Sequence, residues 1–489
     1  MVLTREWAKN WRLNPTAAVL IAAANGAANP SLASIHQQYV TGSQLELLTA
    51  SAARRFALAG VRPGDRVLLS CASSIETVLA YVGILRLGAV VVPANIGYTS
   101  AELEHVVTDS TPVLAVIDDP SRVSKLPLGV TRPSLDALPI DTGLSIELDA
   151  PHDAPAMIAY TSGTTGRPKG ALLSRGNLLA GSQVLVSEWA WTSDDRLVHA
   201  LPMFHMHGLG VGLNATFTAG ASIVVVPRFD VGDVVAAVRD HEATMFFGVP
   251  TMYARFRDAD RLADLSGLRL LVSGSAPLDP VLFAAIADEA GQAPIERYGM
   301  SETVMLTSNP VQGQRKAGSV GRPLAGVSVR LDDEGGVQVS GPNVFSGYWG
   351  RVEETSEAFT DDGWFRTGDI GEWDDDGYLY LIGRASDLII TGGYNVYPRE
   401  VEDALREHAS VIDVAVVGLP DDTWGETVAA FIVTRDDSDI DLSALEQVVG
   451  ERLAAYKRPR TWRRVNELPR NAMGKVRRDV LREQERMKA

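Results

Sequence analysis

A single cysteine, Cys71, occurs in 489 residues. It leaves no intrachain disulfide and no cysteine-rich metal site to build. A lone thiol suits a reducing compartment, and a cytoplasmic location is expected. Long apolar runs are also missing: nothing approaches the ~18 residues of a membrane span, so none is expected. The strongest candidate, Ala17 to Ala24, stops at Asn25-Gly26. Arg5, Lys9 and Arg12 upstream lend it a faint likeness to a secretion signal, which Glu6 and the short apolar core weaken. A buried helix near the N-terminus is the preferred reading. Positive charge is scarce as well. At a formal net charge of −16 the chain disfavours nucleic acid and anionic lipid as partners. Any anionic ligand must therefore be held by local features.

Apolar residues at 46% and charged residues at 22% match an ordinary globular protein, which excludes a disordered chain and a fibre. The length exceeds what one hydrophobic core supports, and no internal repeat or low-complexity segment breaks it up.

The first two-thirds alternates helical stretches with short β-branched runs. Leu45, Leu48, Ala52 and Phe56 fall at helical spacing before Gly60, and Pro63-Gly64-Asp65 turns the chain into Arg66 to Ser70, a buried-strand pattern. Thr77 to Leu87 reads as a helix and Ala89 to Pro93 as a strand; similar strand patterns return at Ser222 to Pro227, Ala243 to Gly248 and Leu268 to Ser273. Such alternation implies parallel sheets covered by helices.

The character changes after about Val320. Val327 to Leu331 and Val337 to Ser340 look like hairpin strands, and Asp374 to Gly377 like a turn between Gly371–Trp373 and Tyr378–Ile382. Beyond Gly383-Arg384 the pattern is compact α+β. Pro398 opens a helix with Val401, Ala404 and Leu405 on one face, and Val414 to Val417 and Ala429 to Val433 read as strands. Ser443 to Glu446 matches a capping box. The fold class expected is α/β: a large N-terminal lobe of parallel sheets with covering helices plus a β-rich subdomain, then a small mobile α+β C-terminal domain. The boundary is placed at Arg384, giving domains 1–383 and 384–489.

Thr161-Ser162-Gly163-Thr164-Thr165-Gly166-Arg167-Pro168-Lys169-Gly170 is the most informative segment. Glycines let the backbone approach a ligand, hydroxyls add donors, and Lys169 adds a cation, a combination suited to polyphosphate. A flexible surface loop is the plainer alternative. The usual P-loop places Ser or Thr after its lysine, whereas Gly170 follows here, which argues against a simple NTPase or kinase.

The segment resembles the signature loop of the adenylate-forming superfamily of acyl-CoA synthetases, adenylation domains and luciferases. Further matches follow in order: Tyr298-Gly299-Met300-Ser301-Glu302, Gly347-Tyr348-Trp349, Trp364 to Asp369, Gly383-Arg384, Gly392-Gly393-Tyr394 to Pro398, and Pro469 to Lys475. The resemblance covers roughly residues 40 to 482. It implies a two-step reaction. A carboxylate attacks the α-phosphate of Mg-ATP to give an acyl-adenylate and pyrophosphate, and a thiol, usually of coenzyme A, then displaces AMP.

By the same resemblance, Thr161, Ser162, Gly163, Thr164, Thr165 and Lys169 would hold the β- and γ-phosphates. Glu302 would bind Mg²⁺, Ser301 would touch the α-phosphate, and Tyr298 would stack on adenine in a pocket lined by Gly274, Ser275, Ala276 and Pro277. Glu296, Arg297, Gly299 and Met300 belong to the same nucleotide-binding stretch. Asp369 would accept from both ribose hydroxyls and Arg384 would contact ribose or phosphate. Lys475 would bridge the substrate carboxylate and the α-phosphate, which with Glu302 and Thr161 completes the catalytic set. Gly392, Gly393 and Tyr394 would face the thiol tunnel for coenzyme A. The hinge position of the family falls on Ser386, where relatives often carry Asp or Lys, so the hinge residue itself is left open.

His205-Met206-His207-Gly208 falls near the acyl pocket in this family; two histidines at i, i+2 without a third ligand nearby make a weak metal motif. Arg255, and Arg297 just before the Tyr-Gly pair, are unusual charges there. Together with Ser273, Gly274, His207 and Met300 they resemble the malonyl-CoA synthetase branch, in which a guanidinium would pair with a second carboxylate. A structural ion pair, for instance with Glu296, is the alternative. Fatty-acid or aryl-acid ligases, or a stand-alone adenylation enzyme with another thiol acceptor, share the first half-reaction. A catalytically dead nucleotide-binding module would have lost Lys169, Glu302, Asp369 or Lys475, and all four are present.

Overall fold

The computed structural model describes residues 18–21, 39–119, 151–161, 168–434, 442–471 and 474–487. It is α/β, as expected. The chain groups into two compact units: residues 1–329 with 339–365, and residues 330–338 with 366–489.

In the first unit, six strands form one sheet in the order Gly347–Tyr348, Lys169–Ser174, Pro155–Thr161, Val90–Pro93, Arg66–Ser70, Leu114–Ile117. The last four pair in parallel, and the first two add an antiparallel edge. The parallel strands are continuously apolar because helices cover both faces of such sheets. Val67, Leu68, Val91 and Val92 are all fully buried. A second run of strands carries Ile295–Tyr298, Leu270–Ser273, Met245–Gly248, Arg196–His199 and Ser222–Val225, neighbours in that order and parallel throughout. Its core packs Phe246, Tyr253 and Phe256 edge to face, each worth roughly 1.5–3 kcal/mol in buried apolar surface.

Two local expectations fail here for physical reasons. Ala18–Ile21 is a strand, paired in parallel with Ser222–Val225, and not a helix. A four-residue apolar run is ambiguous by periodicity, and the sheet edge decides it. In the helix Gly42–Leu58, Leu48 is exposed and Thr49 takes the inward position. Its hydroxyl donates to the Leu45 carbonyl at 2.8 Å, so a polar residue is accommodated without an unmet hydrogen bond.

The second unit is built on the antiparallel pair Val411–Asp421 and Gly425–Thr434, flanked by the hairpin Ile389–Thr391 and Tyr394–Val396 and by Thr461–Arg464. Helix Pro398–Arg406 lays Val401, Ala404 and Leu405 on this sheet, with Leu445 and Val449 beside them. Ser443 lies inside the helix Leu442–Arg452, one residue past its first described position, so it is not the cap that its spacing to Glu446 suggested. The helix is phased by its buried Leu445 and Val449, which bring Leu442 into the first turn. The compact unit starts at Arg366, ahead of Arg384. The division into 1–383 and 384–489 stays a proposal.

Helices Gly42–Leu58 and Ile75–Arg86 touch through Gly83, where a Cβ would lie 2.7 Å from the Ala52 Cβ. Gly83→Val should force the pair apart and cost about 1–3 kcal/mol, read as a lower urea midpoint. An unchanged midpoint would show that the contact is slack.

Candidate active site

Three parallel strands of the first unit reach their carboxyl ends side by side, Gly248 opposite Ser273 and Ser273 opposite Glu296, and the third runs two residues further to Tyr298. Ligands of open α/β sheets bind beyond such carboxyl ends. The chain leaving Ser273 passes through Gly274 into Ser275, whose φ of +72° lies in the left-handed region, a strained conformation for a residue with a side chain. There the Ser275 hydroxyl meets His207 Nδ1 at 3.1 Å.

Neighbouring residues on the strand Ile295–Tyr298 face opposite ways, and their environments differ accordingly. Glu296 accepts from the Leu278 amide at 3.3 Å and the Gly318 amide at 2.8 Å, so it braces the Ser275–Pro277 loop. Arg297 is 6% exposed, and its Nε and Nη2 have no hydrogen-bond partner among the described residues. Its guanidinium lies over Gly274, where a Cβ would sit 2.4 Å from Cζ. Only glycine permits that approach. Burial pulls the Arg297 pKa down to about 9, which leaves it cationic at neutral pH. His207 is likewise buried, and desolvation, then the nearby Arg297 charge, holds it well below the ordinary histidine range and hence neutral. Arg255 is elsewhere: it is exposed on the last turn of the helix Pro250–Asp258, its guanidinium 6.0 Å from the Phe229 ring centroid.

Beyond Tyr298, which is buried, the chain folds back tightly so that the Leu306 amide donates to the Tyr298 carbonyl. Gly299 is enclosed there, with room for no side chain against the Val304 carbonyl. Met300 and Ser301 are half-buried, and Glu302 is 4% exposed. Val304, a β-branched residue at φ +57°, is held by Asn343, which donates to the Thr303 and Met305 carbonyls. The Glu302 carboxylate is reached by the Tyr348 hydroxyl at 3.2 Å.

The signature segment joins the strands Pro155–Thr161 and Lys169–Ser174, whose last pair sets Thr161 opposite Lys169. Ser162, Gly163, Thr164 and Thr165 lie outside the described residues. The flanks are gripped by the helix Ser100–Ser110. His105 Nε2 is 2.7 Å from the Pro168 carbonyl oxygen, and the Tyr160 hydroxyl donates to Asp109 at 2.7 Å. Neither residue carried a motif signal, since a histidine and an aspartate at i, i+4 on a helix look like a solvated face.

In the second unit, residues distant in sequence converge. Asp369, 6% exposed, stands opposite Arg384 in the hairpin Phe365–Trp373 and Leu379–Arg384, and their side chains pair at 3.0 Å. Lys475 joins them. Burial and then the Arg384 charge lower its pKa to about 8, against the opposing pull of Asp369 and Asp387. Gly474, at φ +74°, turns the chain just before it, with its amide on the Asn471 carbonyl. Gly392 and Gly393, at φ +57° and +82°, form the two-residue turn of a hairpin, the backbone that such a turn requires. At Gly392 a Cβ would strike the Trp424 ring, while Gly393 faces open space. Tyr394 is exposed and stacks on Tyr456 at 4.6 Å.

The first unit thus holds a buried carboxylate at Glu302, and the second a half-buried lysine beside an aspartate–arginine pair. The chain belongs to the AMP-binding enzyme family, which matches residues 20–349, with the AMP-binding enzyme C-terminal domain matching residues 400–475. It is an AMP-forming acid–CoA ligase, with ATP and coenzyme A as co-substrates and Mg²⁺ as the metal.

Among its relatives, a mitochondrial malonate–CoA ligase of Mus musculus is 36% identical, over 87% of this chain and 83% of the relative. A feruloyl-CoA synthase of Amycolatopsis is 37% identical over 89% and 92%. The ATP-bound crystal structure of MatB from Rhodopseudomonas palustris superposes with a TM-score of 0.86 at 38% identity, over 92% of this chain and 94% of that one.

Lys475 generates a pH prediction. The ammonium is present below its pKa of about 8 and is lost as pH rises through it. Acid-dependent ATP–pyrophosphate exchange should fall on the alkaline side, and Lys475→Arg should extend the plateau upward. A decline at the same pH in Lys475→Arg would assign the titration to another group.

Proposed function

We propose that the acid is a small dicarboxylate of the malonate type, and that Arg297 holds its non-reacting carboxylate. The observation that carries this reading is a buried guanidinium with no counter-ion among the described residues, beside neutral His207 and over Gly274. A cation taken from water without a partner costs several kcal/mol. An anionic ligand repays that cost, and a carboxylate fits the planar fork. A protein of net charge −16 needs such a local cation to accept a dianion. The exposed Arg255 has no part in this. Relatives named for malonate and for feruloyl-CoA are similarly close, so the names alone do not choose.

The first half-reaction would run on this chain's residues as follows. The buried Glu302 carboxylate offers the hard oxygen that Mg²⁺ prefers, and an ion held by one carboxylate and substrate phosphates needs no larger protein cluster. Mg²⁺ supplies charge neutralisation on the phosphates. Thr161, Lys169 and the segment between them receive the phosphates, Ser301 contacts the α-phosphate, and Tyr298 with the Ser275–Pro277 loop lines the adenine pocket braced by Glu296. Asp369, which pairs with Arg384, would accept from both ribose hydroxyls. Lys475 neutralises charge between the carboxylate and the α-phosphate, where preorganised cations contribute most. Gly392, Gly393 and Tyr394 would serve the coenzyme A step. Among the described residues no helix is long and apolar enough to cross a membrane. Buried Cys71 suits a reducing compartment such as the cytoplasm, which stays our proposal.

Arg297→Met should lose malonate and methylmalonate by about a hundred- to several-thousand-fold in kcat/KM while keeping or gaining activity on butyrate. Pyrophosphate release with coenzyme A across these acids is the measurement. Wild-type preference for medium-chain or aryl acids over malonate would defeat the dicarboxylate reading and leave only the general acid–CoA ligase.

A further inference from the structure

The motif Gly347-Tyr348-Trp349 has a specific place in the first unit. The short strand Gly347–Tyr348 adds to the edge of the phosphate hairpin, Gly347 opposite Leu172 and Tyr348 opposite Ala171, and the Trp349 amide donates to the Gly170 carbonyl at 2.8 Å. The Tyr348 amide donates to Thr355 Oγ1 at 2.9 Å, and a Cβ at Gly347 would strike the Thr355 methyl. Its ring stands edge-on to Phe345 at 4.9 Å, and the Phe345 amide donates to the Glu302 carbonyl at 2.8 Å. Backbone and ring are thus fixed from several sides.

From that seat one side chain reaches two charged groups of opposite sign. Its hydroxyl lies 3.2 Å from Glu302 Oε1, and its ring face lies 5.3 Å from the Lys169 ammonium. We infer that Tyr348 is a positioning residue for Mg·ATP, orienting the Glu302 carboxylate for the cation and the Lys169 ammonium for the phosphates. This rests on the roles proposed above for Glu302 and Lys169.

The chemistry of the phenol suits both tasks. As a neutral donor it fixes one carboxylate oxygen without cancelling the charge that Mg²⁺ requires, which an arginine or lysine in its place would do. As an aromatic face it attracts the ammonium through its quadrupole and uses none of the N–H donors that phosphate oxygens need. The two functions reside in different parts of the side chain, so they can be removed separately.

Tyr348→Phe removes the hydroxyl and keeps the ring; Tyr348→Leu removes both. Tyr348→Phe should raise the Mg²⁺ concentration for half-maximal acid-dependent pyrophosphate release by about tenfold, the loss of roughly one hydrogen bond to a charged group. KM for the acid should not move. Calorimetry with a non-hydrolysable ATP analogue supplies a readout apart from activity. Without Mg²⁺, Tyr348→Phe should bind the analogue as wild type does and Tyr348→Leu more weakly; with Mg²⁺ both should be weaker. In a Glu302→Gln background Tyr348→Phe should have no further effect on the Mg²⁺ requirement, since neighbours in one interaction are not additive. A Tyr348→Phe enzyme that titrates with Mg²⁺ like wild type overturns the inference, as does an equal rise in KM for the acid. Wild type that releases no pyrophosphate in a Mg²⁺- and acid-dependent way fails differently, by removing the function on which the inference stands.

Discussion

The guanidinium of Arg297, buried with no counter-ion among the described residues, is the constraint around which its surroundings are arranged. A charge in that position is tolerated only if the surrounding fold holds it in place. The fold does so with the smallest available means. Gly274 has no side chain to displace the fork, and His207 is kept neutral by its own burial. Glu296, the nearest acid in sequence, is turned to the Leu278 and Gly318 amides. Had Glu296 faced the other way, the two would have formed a structural ion pair.

A second arrangement surrounds Lys169 and Glu302. The antiparallel hairpin from Pro155 to Ser174 sets Lys169 at the mouth of the signature segment, and an edge strand carrying Tyr348 locks onto it. The Glu302 loop is stapled to the same edge through Phe345 and Asn343. A strained Val304 within that loop shows that the surroundings impose its shape. In the second unit Asp369, Arg384 and Lys475 form a separate charged cluster, in which burial and the Arg384 charge lower the lysine pKa.

Charged groups thus fall in both units: Lys169, Arg297 and Glu302 in the first, and Asp369, Arg384 and Lys475 in the second. Glycine is required in both units: Gly274 and Gly299 leave no room for a side chain, and Gly392, Gly393 and Gly474 take positive φ.

The sequence alone determined the α/β class, the alternation of buried strands with helices, and the order of the chemical motifs. These follow from local periodicity and from residue types that few other contexts assemble, such as the glycine–hydroxyl segment ending in Lys169. It also marked two arginines near the expected acyl residues, the starting point of the dicarboxylate proposal. It did not separate them. Only the tertiary structure put Arg255 in solvent and Arg297 in the interior, since strand alternation and helix phase decide which way a charge points. The same holds for Ala18–Ile21, a strand because an edge was there to receive it, and for Leu48, displaced outward by the phase of its helix. Tyr348, His105 and Asp109 acquired roles only through pairings across tens to hundreds of residues, and Lys475 acquired its environment only from Asp369 and Arg384. Those contacts are non-local, and no local pattern encodes them.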